Sequence, residues 1–379
     1  MSKKRHLTGA RTRAWASAVA SAGAVIVLLA GLAAPALAQR TAGIPSDHAM
    51  KATNRSVSPV QKAILSSIEC EGPSFCLAIG QYTKYGQPRQ PVQVIEEWDG
   101  RNWSAVADRL PGTLSGLTCG SPTFCLAKDS KAGVAAWNGR TWRIWNNQPP
   151  SGTSGISCGS PDLCAGIQGT ATVQWNGKKW RSGPYSTDAC GGQPPGDDCG
   201  WSFLTCAGRL NCAVVGWWQP YSDGDFGGIE PQTGNWNGEE WNGSLNPPFT
   251  MTLLACSFDD FCLATDGHSQ AALYSGPGWQ SASPDLAAVC KGASNCSLDG
   301  SLSCGAPQSC VLIPSASKLS LVWNGVRWKS VPLVPLRGTH PTLTALSCVS
   351  SSDCLAVGRY RTPSRPLTEH WNGSSWQLG

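Results

Sequence analysis

Eighteen of the 379 residues are cysteine. Seven pairs share one spacing, with five residues between partners: Cys70 and Cys76, Cys119 and Cys125, Cys158 and Cys164, Cys206 and Cys212, Cys256 and Cys262, Cys304 and Cys310, Cys348 and Cys354. Paired thiols can oxidise to a disulfide or hold a metal as thiolates. Zinc ligands prefer about two to four intervening residues, and each pair would need its own ion. Local disulfides in an oxidising compartment are the simpler expectation. Cys190 and Cys199, and Cys290 and Cys296, stand outside the repeat. Each of these pairs is expected to staple a loop. No metal and no cofactor is expected.

Catalytic groups are sparse. Beyond the first segment the histidines are His48, His268, His340 and His370, far apart in the chain. No Gly-x-Ser-x-Gly elbow, His-Glu-x-x-His or phosphate loop occurs. Glycoside hydrolysis needs two carboxyl groups flanking one bond. Asp129, Asp223, Asp225, Glu230 and Asp266 could supply them from different loops. The run Asp223-Gly-Asp225-Phe226-Gly227-Gly228 begins like a calcium loop. Its fifth position is Gly227 and its twelfth is Gly234, where oxygen ligands belong.

Binding chemistry is better represented. Trp217, Trp218, Tyr221, Asp223 and Asp225 crowd aromatic rings and acids into one short stretch. Tyr82 and Tyr85 form a second group, and Arg359, Tyr360 and Arg361 a third. Aromatic faces with a few fixed polar groups are the usual recipe of a ligand site. For Trp217 alone, an inward-packing role at the end of strand b is the favoured reading.

The elements that must position these groups come from a repeat. The first cysteines of the pairs recur every 39 to 50 residues. Each pair is followed by Trp-Asn-Gly-x-x-Trp, at 137–142, 175–180, 236–241, 323–328 and 371–376. At 98–103 the Asn is Asp99, and the fifth copy is degraded to Tyr274-Ser-Gly-Pro-Gly-Trp279. Leu114–Cys119 reads as a short strand a, and a turn leads to strand b from Cys125. In other copies strand b reads Cys-Leu-Ala-Val-Gly, an apolar run suited to burial on both faces. Strand c ends at the first Trp, Asn-Gly turns the chain, and strand d starts near the second. Four antiparallel strands per unit make one propeller blade. The expected fold is an all-β, disulfide-stapled, seven-bladed β-propeller.

In these motifs the chain resembles the secreted propeller repeats of actinobacterial and related genomes, whose units read Leu-Ser-Cys-x5-Cys-Leu-Ala-Val-Gly…Trp-Asn-Gly-x-x-Trp. Residues 346–376 carry the pattern best, and the resemblance covers about 64–379. It implies a fold and no particular activity. The likeness to the sialidase Asp-box is faint: only Gly139-Arg140-Thr141-Trp142 matches its end, so no sialidase activity follows.

Residues 1–13 carry Lys3, Lys4, Arg5, Arg11 and Arg13 and no acid, and 14–34 are uncharged and mostly apolar. Ala36-Leu37-Ala38 then offers a signal-peptidase site. We expect a signal peptide over 1–38, a polar leader over 39–63 and the propeller over 64–379. Of 29 basic and 24 acidic residues, the signal holds five basic, leaving 24 of each. That balance gives no reason to expect nucleic acid or an anionic membrane as partner. Val57–Ala63 is a candidate extra strand to close blade seven.

Alternating strands put the a–b and c–d turns on one face and the b–c and d–a loops on the other. The turns are monotonous, whereas the loops vary and carry the three candidate binding groups around Trp217, Tyr82 and Arg359. Binding residues gather on loops held by a rigid scaffold. The expectation is a secreted, monomeric, non-catalytic recognition module binding a glycan on the loop face. A protein ligand is the second reading. A carbohydrate-active hydrolase or lyase, with its site in the central funnel, is the third.

Overall fold

The computed structural model describes residues 60–379 except 85–86, 107–109, 111, 183–196, 209–210, 223, 237, 239–240, 244–246, 258–260, 276–277, 284–285, 290–296, 337–340 and 361–364. Seven four-stranded antiparallel sheets follow one another, each with its strands in chain order apart from a small hairpin set into blade four. Blade two shows the plan: strand a Leu114–Ser121, b Phe124–Asp129, c Gly133–Trp137 and d Trp142–Ile144.

The a strands are Val60–Gly72, Leu114–Ser121, Thr153–Ser160, Asp198–Ala207, Leu253–Ser257, Gly300–Ala306 and Thr342–Ser350. Each packs against the next, and the last against the first, so the ring is closed. A buried apolar cluster fills each blade interface. Leu77, Ile79 and Ile95 of blade one meet Leu114 and Leu117 of blade two. Leu65, Ile68 and Ala78 of blade one meet Leu355 and Val357 of blade seven.

The repeated residues each have a physical task. Every Cys pair is disulfide-bonded directly across strands a and b, with Cα atoms 3.9–4.0 Å apart. In blades one, two, three and seven the first Trp donates its indole N–H to a carbonyl of the a–b turn. Trp137 reaches Pro122 O at 3.1 Å, Trp175 reaches Pro161 O at 3.0 Å, and Trp371 reaches Ser351 O at 3.1 Å. The cysteine and tryptophan motifs therefore recur together because one clasps the turn that the other staples. The two Trp rings of each c–d turn lie against each other, 5.9 Å apart for Trp137 and Trp142. The degraded copy keeps this with Tyr274 and Trp279 at 5.7 Å.

In Trp-Asn-Gly, glycine supplies the positive φ, as at Gly139 (88°). The Asn side chain caps the turn: Asn138 Oδ1 accepts from the N–H of Arg140 and Thr141, both at 3.0 Å. Asp99 does the same for Arg101 and Asn102, at 2.8 and 2.7 Å. An aspartate is thus tolerated where the other copies hold asparagine. The glycine of Cys-Leu-Ala-Val-Gly is steric: a Cβ at Gly358 would run into the carbonyl of Thr342 on strand a.

Two further repeated positions emerge. The residue before the first Cys reaches into the next blade. Thr118 Oγ1 accepts from Cys158 N at 2.8 Å, Ser157 Oγ from Cys206 N at 2.9 Å, and Ser303 Oγ from Cys348 N at 2.9 Å. Four residues before the first Cys a hydroxyl bonds back to strand b, and in blades one, three and seven it plugs a break in the register of strand a. Ser66, Ser154, Thr252 and Thr344 donate to the strand b carbonyls of Ile79, Ile167, Thr265 and Val357.

Among the described residues no exchanged strand closes the ring, which corrects the expectation for Val57–Ala63 over residues 60–63; residues 57–59 lie outside the described residues. Val60–Gly72 is strand a of blade one, paired with Phe75–Lys84. Blade seven completes its own sheet with Trp376–Leu378. That last strand is short, but strand d is also three residues long in blades one to five, so no place stands empty. The seam is held by Ser347 Oγ accepting from Cys70 N at 3.0 Å and by Thr344 Oγ1 donating to Leu65 O at 2.6 Å. Strand a of blade one thus takes in residues 60–63, which the sequence alone places in the leader.

Candidate functional site: the loop face of blades four, seven and one

Blade four is built differently above its common frame. Its strands Asp198–Ala207, Asn211–Gln219 and Glu230–Trp236 outrun those of blades two, three and five. A two-stranded hairpin, Tyr221–Ser222 with Asp225–Phe226, crowns the b–c connection. Asp197 holds it in place, accepting from the Trp218 indole N–H and from Tyr221 N, each at 2.8 Å. Gln219 Nε2 donates to Gly227 O at 2.9 Å and Gly227 N to Pro220 O at 2.7 Å. Fixed this way, the hairpin lifts Tyr221 and Phe226 into solvent, 40% and 54% exposed. Their rings touch at 4.9 Å and are tilted by 59°. Ile229 beside them is 58% exposed.

The candidates from this stretch therefore divide. Trp217 is half-buried within strand b, paired with Gly200 and Pro231, with its ring near the Gly200 backbone. It shapes the blade. Trp218 is also half-buried, and its only polar atom is committed to Asp197. Tyr221 and Asp225 are free to meet a partner. Asp223 lies outside the described residues. Asp197 was invisible beforehand, because an acid in a long d–a loop carries no periodic signal.

Tyr82 is half-buried on strand b of blade one, and Tyr85 lies outside the described residues. Arg359 is exposed at the end of strand b of blade seven. Tyr360 next to it packs against the cluster between blades six and seven. Arg361 lies outside the described residues. In a ring of seven, the seam between blades seven and one is diametrically opposite blade four. Of the loop cysteines, Cys199 is disulfide-bonded; Cys190, Cys290 and Cys296 lie outside the described residues.

Of the carboxylates weighed for catalysis, Asp129 and Asp266 are engaged in capping turns. Asp129 is buried and accepts from Lys131 N, Ala132 N and Gly112 N at 2.8–3.1 Å. Asp266 caps the matching turn of blade five through His268, Ser269 and Gln270 N–H groups at 2.8–2.9 Å. Burial pushes the Asp266 carboxyl up, but these donors together hold it below its ordinary range. Asp225 and Glu230 stand exposed on the hairpin and strand c. His370 pairs with Asp353 at 2.8 Å, at the framework end of blade seven.

Raised carboxyls sit elsewhere, towards the turn face. Burial pushes Glu69 up to about 8, with Glu71 adding to it, and pushes Glu71, Glu96 and Glu369 up to about 7. Glu69 and Glu71 flank Cys70 on strand a, whereas Glu96 and Glu369 lie two residues before the first Trp of their blades. Among the described residues no three His, Cys, Asp or Glu side chains group as a metal would require. A shallow apolar groove lined by Val331, Leu333, Val334 and Trp376 lies between blades six and seven, away from these loops.

No protein-family model matches the chain, and no curated protein matches its sequence. Solved propellers match its fold. YCF48 bound to D1 peptide aligns over 79% of this chain and 92% of its own at 13% identity and TM-score 0.46. YCF48 from Cyanidioschyzon merolae aligns over 83% and 96% at 11% identity and TM-score 0.49. The β-propeller domain of the Trilobed protease from Pyrococcus furiosus, described as having an open velcro topology, aligns over 84% and 97% at 9% identity and TM-score 0.48. At such identities the likeness extends to the propeller fold alone. The seven disulfides point to an oxidising, extracellular setting. No helix among the described residues is long and apolar enough to cross a membrane.

Proposed function

We propose that this protein is a secreted, non-catalytic recognition module that binds a protein partner through the blade-four hairpin. Residues 1–38 direct export and are removed, leaving the polar leader and the propeller in the extracellular space. The observation behind the partner class is the exposed Tyr221–Phe226 pair with Ile229 beside it. A pyranose ring needs a flat aromatic platform or a walled pocket with free polar groups. Here two tilted rings rise from the surface, and the nearest indole N–H is already bonded to Asp197. Exposed aromatic and aliphatic side chains on a braced hairpin instead suit a hydrophobic groove on another protein. Because the hairpin is pinned before binding, little ordering remains to oppose association.

The test is chemical cross-linking of the oxidised protein in the culture supernatant of its source. Wild type is compared with the double variant Tyr221→Ser, Phe226→Ser, and both are assayed on a polysaccharide panel for binding and sugar release. A protein adduct formed by wild type and lost in the double variant supports the reading. Polysaccharide retention lost in that variant would return blade four to the glycan reading. Released sugar would replace both with catalysis.

A further inference from the structure

The d–a connections do more than join one sheet to the next. Five of them send an apolar side chain into the cluster between the blades they link: Leu110 between one and two, Trp145 between two and three, Met251 between four and five, Leu286 between five and six, and Leu333 between six and seven. They also serve buried polar groups of the blade that follows. Trp180 donates its indole N–H to Asn147 O at 2.9 Å and Trp328 to Ala282 O at 2.7 Å, while Val334 N donates to Glu369 at 3.1 Å.

The seam between blades seven and one differs. Among the described residues its apolar cluster consists of strand residues alone. Val92, Val94, Glu96 and Trp98 alternate along strand c, Gln87–Trp98, on the face turned to blade seven. Val92 is 36% exposed, and Trp98 is half-buried, although the first aromatic residue of the motif is only 2–9% exposed in the other six blades. Glu96 stands where Glu369 stands in blade seven, two residues before the first Trp, yet its buried Oε2 has no partner. Trp103 Nε1 is unpartnered too, but so are Trp142 and Trp279, so the carboxyl is the more telling group. A buried acceptor without a donor is costly, and the seam favours a segment that brings one.

Each of the five connections precedes strand a of the blade it covers. At the seam that place in the chain belongs to the residues before Val60. Residues 50–59, outside the described part, offer Met50 and Val57 for an apolar face, and Lys51 and Arg55 with no acid. The Glu96 carboxyl opposite has no ion pair among the described residues. Glu96 lies level with Ile68, eight residues along strand a from Val60 or about 26 Å, and ten extended residues span about 33 Å.

We propose that residues 50–59 fold back over the seam between blades seven and one as the strap that d–a connections form elsewhere, packing on Val92 and Trp98 and giving an N–H to Glu96. The strap adds no strand to blade seven; it covers the face of blade one.

The experiment is hydrogen exchange read by mass spectrometry on the oxidised, exported protein, with no partner present, so that its outcome is independent of the hairpin proposal. Residues 50–59 should exchange about tenfold more slowly than 39–46, the factor that one net hydrogen bond supplies. Val57→Asp in the segment, or Val92→Asp on the exposed seam, should each abolish that protection and leave blade four unchanged. A chain beginning at Val60 should exchange faster over 92–104. Exchange of 50–59 as fast as 39–46, or protection that survives both substitutions, would overturn the proposal, as would an unchanged 92–104 in the shortened chain. If the shortened chain does not fold, the two substitutions in the full chain carry the test.

Discussion

The two faces of this propeller are made by different rules. On the turn face, each blade repeats a cross-strand disulfide and a c–d turn with two stacked aromatic rings, and most add an indole bond and a capped Asn-Gly. Side chains there are committed to their own blade or the next. On the loop face the frame stops repeating. Blade four grows a braced hairpin, and blade seven ends its strand b with exposed Arg359 and half-buried Tyr360. A stiff, uniform face is what allows the other face to vary, because loop changes cost little when the strands beneath are independently fixed. The contrast predicts large stability effects and no binding effects on one face, and the reverse on the other.

Full reduction should show the largest effect. Each disulfide joins residues six apart, which in the chain-entropy model contributes about 2 kcal/mol. Seven such contributions rival the roughly 5–15 kcal/mol by which whole domains are stable. The oxidised protein should melt cooperatively, and the reduced protein should be largely unfolded at the same temperature. Unchanged melting after complete reduction, checked by thiol titration, would mean that the Trp clasps and interface clusters hold the ring alone.

Next comes a pH dependence centred on Glu369. Its side chain is fully buried between blades seven and six, with one oxygen accepting from Val334 N at 3.1 Å and the other unpartnered. Burial raises its pKa from 4.5 to about 7. The folded state therefore holds the proton more tightly than the unfolded state. Stability is highest below the unfolded pKa and falls as pH rises towards the folded one, by about 3 kcal/mol. Glu71 and Glu96 push in the same direction. Glu369→Gln should raise the melting temperature in mildly alkaline buffer and change it little in mildly acidic buffer. Equal shifts at both ends would refute a role for ionisation.

Ser347→Ala should cost less. It removes the acceptor for Cys70 N across the seam, worth about 1 kcal/mol. Blade five already carries Ala255 at the matching position, so the ring tolerates one missing clasp. A loss well beyond that in the seam variant would show that blades seven and one depend on this bond more than other neighbours do.

How much of this could be read from the chain follows the same divide. The seven pairs and the Trp motif are periodic, so blade number, strand order and disulfide pairing were legible. The serine clasps were legible in principle: Thr118, Ser157, Ser303 and Ser347 all precede a first Cys. Their meaning needed the blade-to-blade approach that only the folded ring provides. The closing strand was misjudged because Trp376–Leu378 looks truncated until it is set beside the equally short strands of other blades. Of the site residues, aromatic type marked Tyr221 and Trp217 alike and could not tell that the first stands exposed while the second is half-buried beside Gly200. Asp197 was missed because its partners Trp218 and Tyr221 lie more than twenty residues away.

The smallest stability change should accompany the most informative loss of binding. Tyr221 and Phe226 contact each other but bury little else, so Tyr221→Ser should shift stability within about 0.5 kcal/mol. Trp218→Phe offers the sharper contrast. It keeps an aromatic ring in place and removes the N–H that meets Asp197, together with part of the indole's packing area. The Asp197 carboxylate would still hold Tyr221 N, leaving the hairpin tethered by one bond. If the hairpin acts as a rigid knob, Trp218→Phe should weaken partner binding several-fold through a faster off-rate, with Tyr221 and Phe226 untouched. Faster hydrogen exchange confined to 219–229 should accompany it. Binding unchanged by Trp218→Phe but abolished by Tyr221→Ser would show that the rings make the contact and the brace is incidental. Loss in both, with altered exchange only in the first, would establish that Asp197 and Trp218 serve to aim the rings.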